Sequence, residues 1–214
     1  MRSEVTAIVP LRRPGVGKTR LSSALCPDER AELTIAMFGD VVAALQASSV
    51  DRLLIAAAGP AAGAVAASLD VPIVLDPPDV HDLDDALAAA TRRVPADRDV
   101  LIVPADLPRL TSTDIDALLA TDGQVVVAPT NAGGTGGLLR RTGARIPTAF
   151  GPGSAARHQR QAAEAGLTVA TIERDGFHHD IDTWTDLAAL HAVELGPRTA
   201  RVLPRLLGGG SRVG

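Results

Sequence analysis

Short apolar runs alternate along the chain with stretches whose apolar positions recur at helical spacing. The runs are apolar on both faces and are bounded by turn residues, which is typical of parallel strands covered by helices. Five runs predict buried strands: VTAIVP (5–10), RLLIAAA (52–58), VPIVLD (71–76), DVLIVPAD (99–106) and QVVVAP (124–129).

The segment after the first run predicts the longest helix, residues 28–47, with Asp28 as a candidate N-cap. Its apolar positions recur at helical spacing: Ala31, Ile35, Phe38, Val42 and Leu45. Weaker helical patterns cover residues 60–68, 83–93 and 111–120. This alternation predicts a Rossmann-like three-layer α/β/α fold with a mostly parallel central sheet, in which ligands bind at the carboxyl ends of the strands.

Residues 130–153 interrupt the alternation, because the segment is dense in Gly and Pro and too long for an ordinary connection. Beyond it the pattern predicts a helix over 154–165, a strand over 167–172 and a helix over 184–195. We expect one domain over residues 1–204 and a disordered tail over residues 205–214.

Composition narrows the classes of partner. The 214 residues carry a net charge of −4, with no Tyr, one Trp and three Phe, which disfavours base-stacking nucleic-acid modules. Cys26 is the single cysteine, which excludes an intramolecular disulfide and a cysteine-rich zinc site.

MRSEV leads directly into a strand-like run and no apolar stretch reaches about 18 residues, so we expect a cytoplasmic protein without a membrane segment. The sequence does not determine the oligomeric state, a homodimer being one option.

Two acidic positions predict a metal site. Asp106 ends an apolar run, which places its carboxylate at the carboxyl edge of the sheet. Mg²⁺ takes one or two carboxylates and leaves room for substrate phosphates. Asp180 and Asp182 share a face of an extended segment, and Thr183 is the better cap for the next helix, which frees Asp182. Asp106 and Asp182 thus form a candidate Mg²⁺ pair; the alternative for each is a local turn or capping role.

Three segments carry features of anion binding. PLRRPGVGKTRL (10–21) is similar to the P-loop pattern G-x-x-x-x-G-K-[ST], but Arg12 stands at the first glycine position and Pro14 lies inside the loop. GGTGG (133–137) and FGPGS (150–154) offer backbone amides, and Ser154 precedes a helical run, as a helix N-terminus that binds an anion requires. A flexible Gly/Pro loop is the alternative for FGPGS. The five histidines lack a nucleophile partner or ligand spacing, and surface turn positions are the simpler interpretation for His178 and His179.

With these residues in place, the chain resembles the 2-phospho-L-lactate guanylyltransferase family, whose actinobacterial members are phosphoenolpyruvate guanylyltransferases of coenzyme F-420 biosynthesis. DLP-L-T and DIDT also occur in several related nucleotidyltransferases, whereas FGPGS-x-x-RH and the closing GPRT are more specific to this family. The matching blocks run nearly end to end: IVPLRRPGVGKTRL, VPADLPRLTSTDI, VVVAP followed by GGTGG, FGPGSAARH, HDIDTWTDL and LGPRTARVL.

The resemblance implies a nucleotidyltransferase domain with a nucleotide-diphospho-sugar-transferase-like fold. It implies transfer of GMP from GTP to a small phosphorylated three-carbon acid, with release of pyrophosphate and with Mg²⁺ on Asp106 and Asp182. The implied catalytic residues are Lys18 and these two aspartates. The family binds the acid through residues that correspond here to Thr135, Gly151 and Ser154, and the implied nucleotide-binding residues are Leu11, Arg12, Lys18, Arg20 and Asp84.

Two positions depart from the family pattern. Its GTG usually continues with Thr-Asn or Thr-Thr, whereas this chain has Gly137-Leu138, and Asp84 stands where the family commonly has an asparagine. An aspartate accepts hydrogen bonds from guanine N1–H and N2–H₂ but loses the amide donor.

Three alternatives to this function remain at the level of the sequence. The chain could be a P-loop NTPase with Lys18 and Thr19 on the phosphates, the same transferase acting on 3-phosphoglycerate, or a nucleotide-binding module without turnover.

Overall fold

A computed structural model describes residues 3–15, 18–69, 71–75, 82–190 and 194–209. Its centre is a seven-stranded sheet of order β3-β2-β1-β4-β6-β5-β7. The strands are β1 (Val5–Leu11), β2 (Arg52–Ala57), β3 (Ile73–Leu75), β4 (Asp99–Ile102), β5 (Val125–Pro129), β6 (Thr135–Arg140) and β7 (Val169–Thr171). The helices are α1 (Pro27–Gln46), α2 (Gly59–Ala67), α3 (Leu83–Thr91), α4 (Ser112–Ala120), α5 (Ser154–Glu164), α6 (Asp175–His178), α7 (Trp184–Ala189) and α8 (Pro197–Gly209).

The predicted strands are confirmed, and the sheet is parallel except for β6. β4 ends at Ile102, earlier than expected, and Pro104 has no N–H with which to continue the ladder. Helix α1 begins at Pro27 with Cys26 as N-cap, so the prediction that Asp28 caps it is wrong. Proline suits the first position of a helix, where its missing N–H would have no intrahelical partner.

Strand β6 lies in the Gly-rich stretch that sequence reasoning treats as an irregular connection. It pairs antiparallel with β4 on one side and β5 on the other, so that Leu138 faces Ile102 and Val127. The register with β5 shifts by one residue at Gly136, because Gly137 pairs with Ala128 and Thr135 with Pro129. Such a bulge turns the flanking side chains to the opposite face of the sheet. It directs Thr135 towards α5, whose Ser154 contacts the Thr135 hydroxyl.

The sheet is covered on both faces, which confirms the three-layer architecture. One apolar cluster joins the sheet to α1, α2 and α4, and a second joins it to α3 and α5. In the first, Phe38, Leu118 and Phe177 are fully buried; in the second, Leu87 and Ala162 are. Among the described helices, none is long and apolar enough to span a bilayer.

The C-terminal helix α8 packs along α1 and corrects the predicted domain boundary. Residues 205–209, expected in a disordered tail, continue this helix, and Leu206 is fully buried in a third apolar cluster with Leu33 and Met37. The start of α8 is fixed by Asp40, whose carboxylate accepts the backbone N–H groups of Arg198 and Thr199 at 3.0 and 2.8 Å. The remainder of the predicted tail, 210–214, lies outside the described residues. Residues 191–193, near the end of the helix predicted over 184–195, also lie outside them.

Candidate active site

Lys18, Asp106 and Asp182 meet at the carboxyl edge of the sheet. Lys18 follows β1 and Asp106 follows β4, two parallel neighbours, and the backbone N–H of Ile181 donates to the Asp106 carbonyl at 3.4 Å. The Lys18 Nζ lies 2.8 Å from Asp106 Oδ2 and 3.3 Å from Asp182 Oδ1. The two aspartates predicted as a metal pair are therefore brought together, and one ammonium group lies between them.

The backbone at Lys18 takes an uncommon conformation. Its φ of 55° is left-handed, and it is the one non-glycine residue with positive φ among the described residues. Such a conformation costs roughly 1–3 kcal/mol and persists where surrounding contacts hold it. The following 3-10 turn, Thr19–Leu21, contributes one such contact, because Leu21 is fully buried.

The electrostatics of Lys18 follow from its two partners. Its side chain is only 9% exposed, and burial alone would lower the pKa of the ammonium group. The charges and hydrogen bonds of Asp106 and Asp182 outweigh burial and raise the Lys18 pKa above its ordinary value. Lys18 is also the only lysine in a chain with 21 Lys and Arg residues, a signal that sequence reasoning missed.

Helix α7 leaves the Asp182 side chain available. Thr183 caps the helix, as predicted, and forms a capping box with Asp186. The Asp182 carboxylate contacts Lys18 instead. Asp180, close by, has its pKa raised to about 6, chiefly by burial and then by the charges of Asp106 and Asp182. Two carboxylates therefore contact the Lys18 ammonium group, and the charge of Asp180 interacts with all three.

A cleft of about 250 Å³ opens beside this cluster. Three residues predicted to bind nucleotide line it: Leu11, Arg12 and Lys18. Arg20, also predicted there, lines a neighbouring pocket of about 340 Å³ that shares Asp182 with the cleft.

A P-loop requires a helix to begin at its Lys-Thr pair, but here only a 3-10 turn follows and α1 begins at Pro27. The P-loop interpretation is therefore wrong.

Asp84, predicted to bind the nucleotide, contacts the segment around residues 148–150. Its Oδ1 accepts the backbone N–H of Phe150 at 3.1 Å, and its carbonyl lies 3.4 Å from the Thr148 hydroxyl. Of these two partners, Thr148 lies just before FGPGS (150–154) and Phe150 is its first residue.

The residues predicted to bind the acid lie around the start of α5. The Thr135 and Ser154 hydroxyls are 2.9 Å apart and buried, with residue exposures of 4% and 0%. Gly151 is exposed and has φ of 113°, which a side chain would strain, and its carbonyl accepts the N–H of Ser154. Thr135 and Ser154 are thus brought together, although neither lines the cleft at Lys18.

Sequence reasoning missed the residue that completes this group, His158. The imidazole is fully buried, and its Nδ1 lies 3.0 Å from Thr135 Oγ1. Ser154 and His158 are four residues apart on α5, so they share one face of the helix, a spacing visible in the sequence.

The Gly137 departure has a steric cause. A Cβ at Gly137 would lie 2.8 Å from Leu118 Cδ1 and 3.0 Å from Phe177 Cε1. The phenylalanine ring thus occupies space that a threonine at Gly137 would require.

Comparison with known proteins decides the family. A family model described as "Guanylyl transferase CofC like" matches residues 5–203. The chain belongs to this guanylyltransferase family. It is 37% identical to a phosphoenolpyruvate guanylyltransferase of Roseiflexus castenholzii, over 98% of this chain and 99% of that protein. It is also 37% identical to a 2-phospho-L-lactate guanylyltransferase of Methanothermobacter thermautotrophicus (86% and 82% covered) and 35% identical to a 3-phospho-D-glycerate guanylyltransferase of Phenylobacterium zucineum (91% and 93%).

Solved structures confirm the predicted fold of this guanylyltransferase. A nucleotide-diphospho-sugar transferase homologue from Desulfovibrio desulfuricans G20 superposes with a TM-score of 0.77 at 18% identity, covering 95% of this chain and 98% of that one. A Mycobacterium tuberculosis protein crystallised with manganese gives a TM-score of 0.53 at 20% identity, over 89% and 98%. The family match makes the chain a nucleotidyltransferase, and the solved structures show a nucleotide-diphospho-sugar-transferase-like fold.

Proposed function

We propose that this guanylyltransferase transfers GMP from GTP to the phosphate of a phosphorylated three-carbon acid, phosphoenolpyruvate or 2-phospho-L-lactate, in coenzyme F-420 biosynthesis. The observation that carries the proposal is the convergence of Asp106 and Asp182 on the Lys18 ammonium beside an open cleft. Six of the most similar relatives are named phosphoenolpyruvate guanylyltransferase, which favours that acid as acceptor.

The chemistry requires no general base from the protein. A phosphate monoester has a second pKa of about 6, so the acceptor oxygen is already ionised at neutral pH. That oxygen attacks the α-phosphorus of GTP, a new P–O–P bond forms, and the bond to the β-phosphate breaks with pyrophosphate leaving. Lys18 and Arg12, both at the cleft, bind and neutralise the triphosphate, and the fold's task is positioning and charge compensation.

The acidic residues fit a divalent cation. Asp106 and Asp182 both lie within 3.3 Å of a single cationic atom, and carboxylate oxygens are the ligands that Mg²⁺ prefers. The charge of Asp180 adds to those of Asp106 and Asp182, so three carboxylates outnumber one ammonium group and a divalent cation would balance the site. We propose that Asp106 and Asp182 hold Mg²⁺. When bound, this cation would stabilise the charge on the α-phosphate and the leaving pyrophosphate.

The acid is proposed to bind at Thr135, Gly151 and Ser154. Two hydroxyls lie there at the N-terminus of an 11-residue helix, whose dipole favours an anion. The 3-phospho-D-glycerate relative supports a second candidate acceptor with the same anionic groups.

One assay tests the proposal. Purified protein is incubated with GTP, Mg²⁺ and each of the three acids separately, with mass detection of the product. We expect pyrophosphate and a guanylylated acid, whereas phosphate with GDP would overturn the transferase assignment.

A matched pair of variants tests the metal assignment. Asp106→Asn should lower turnover about a hundredfold or more, because it removes a carboxylate ligand of the cation that would stabilise charge on the reacting phosphates. Asp116→Asn, whose carboxylate contacts the Ser49 N–H on α4's exposed side, is the control and should keep normal turnover. Near-normal turnover in Asp106→Asn would remove the metal assignment.

A further inference from the structure

His158 belongs to the hydrogen-bond network of the proposed acid site, yet the mechanism above does not use it. Its Nδ1 lies 3.0 Å from Thr135 Oγ1, which lies 2.9 Å from Ser154 Oγ. The ring is fully buried and packs edge-on against Phe150, with centroids 5.2 Å apart. A buried, fixed ring at this position controls the direction of the neighbouring hydroxyls.

The contacts of the ring determine its tautomer. The backbone N–H of Ala149 lies 2.9 Å from His158 Nε2, and a backbone N–H can only donate. Nε2 must therefore accept, so the single proton of the neutral ring is on Nδ1. Nδ1–H then donates to Thr135 Oγ1, which acts as an acceptor in this contact.

The ring is neutral at physiological pH. Burial, together with the charges of Arg140 and Arg157, lowers the His158 pKa to about 4, although Asp84 opposes the shift. The imidazole therefore has one donor and one acceptor, and both are used.

Counting protons shows what this tautomer does to the hydroxyl pair. Thr135 and Ser154 have two hydroxyl protons, and the contact between them uses one. Because Nδ1–H donates to Thr135, the second proton stays available to a ligand. With the other tautomer, Thr135 would donate to Nδ1 and Ser154 to Thr135, so only lone pairs would face an anion.

We propose that His158 is a positioning residue that holds Thr135 and Ser154 as a hydrogen-bond donor for an anionic oxygen of the acceptor acid. The proposal rests on the proposed function, since it takes the acid as the ligand of this pair. It assigns His158 an effect on the acid and none on GTP, because the Lys18 cleft is lined by other residues.

The first test reads the tautomer directly. ¹⁵N NMR of the full chain should show one neutral histidine protonated at Nδ1 at pH 7, and its signals should be absent in His158→Gln. If the signals that disappear in His158→Gln were typical of Nε2–H, or titrated near the ordinary histidine pKa of about 6.5, the proposal would be overturned. This readout is independent of turnover.

The second test separates the two contacts of the ring. In His158→Asn the side-chain amide is placed to donate to Thr135 but loses Ala149, whereas in His158→Gln the longer amide reaches towards Ala149 and leaves Thr135 without its donor. We expect the KM of the acid to rise about tenfold in His158→Gln and less than about threefold in His158→Asn. The KM of GTP should stay within about twofold in both.

A control separates positioning from general destabilisation. Thr91→Val removes a buried contact with Arg140 and should lower Tm without changing the acid KM. Equal acid KM values in the two His158 variants, or a parallel rise in the GTP KM, would overturn the proposal. If the wild-type protein transferred GMP to none of the acids, the proposed function would fail while the NMR result still tested the network.

Discussion

The Lys18 ammonium and the Asp106 carboxylate are separated by 88 residues in sequence and form a 2.8 Å salt bridge across the ends of β1 and β4. Asp182 contacts the same ammonium from the segment before α7. One cation therefore contacts both proposed metal ligands.

This relationship predicts low amine reactivity at Lys18. Because the Lys18 pKa is raised above the ordinary lysine pKa of about 10.4, the ammonium stays protonated to a higher pH than in an ordinary lysine. The nucleophilic neutral amine therefore forms only at that higher pH. An amine acylating reagent at pH 9 should label the α-amino group and leave Lys18 largely unlabelled, as read by peptide mass spectrometry. In Asp106→Asn the largest cause that raises the pKa is removed, so labelling of Lys18 should increase. Rapid labelling in the wild-type protein would contradict the buried ion pair.

The bulge at Gly136 predicts an unequal response of two adjacent glycines. A Cβ at Gly136 would lie 2.4 Å from the backbone oxygen of Phe177, whereas at Gly137 the nearest atom is the end of the Leu118 side chain at 2.8 Å. Backbone moves less readily than a side-chain methyl, so Gly136→Ala should cost about 3 kcal/mol of unfolding free energy and Gly137→Ala about 1. Denaturant unfolding measures both. Gly136→Ala should also raise the KM of the acid, since the bulge directs Thr135; equal costs would contradict this account.

The corrected C-terminus predicts that residues 205–209 stabilise the domain. Leu206 is fully buried against α1, so Leu206→Ala should cost about 3 kcal/mol and lower Tm. Leu207→Ala, at a partly buried neighbour, is the control and should cost clearly less. A protein truncated after Pro204 that kept its full Tm would contradict the assignment of this segment to the core.

His158 predicts a pH dependence of stability. Its folded pKa of about 4 lies below the unfolded value of about 6.5, so the unfolded chain binds the proton more readily. Stability should therefore fall as pH drops from about 6.5 to about 4, by at most about 3 kcal/mol from this group, and this contribution should be level below that range. Subtracting the unfolding curve of His158→Gln isolates the contribution. A difference that is independent of pH would show that the ring is not held neutral.

The parallel part of the fold and the proximity of Asp106 and Asp182 were predictable from the sequence because their signals are local. Buried parallel strands are continuous apolar runs, and Asp106 ends one of them. Thr183 is recognisable as a cap from its position before Trp184, which left Asp182 for another role.

Strand β6 and helix α8 depend on distant partners and could not be read in the same way. The Gly-rich β6 is extended because β4 and β5 supply hydrogen bonds on both sides, which outweighs its low strand propensity. The start of α8 depends on Asp40, 158 residues away from Arg198, and Pro204 within the helix obscures its pattern. The contact of Asp84 with the Phe150 N–H, 66 residues along the chain, was not visible in the sequence for a similar reason.

The docking of α8 on α1 has a consequence for the order in which the protein matures. During synthesis the N-terminal part emerges first, with Leu21, next to the Lys18 loop, and Leu33 on α1 still lacking the leucines that cover them. Leu203 and Leu206 complete that cluster only after α8 has been synthesised and has packed on α1. The packing beneath the Lys18 loop is therefore completed by a segment that follows both aspartates in the sequence.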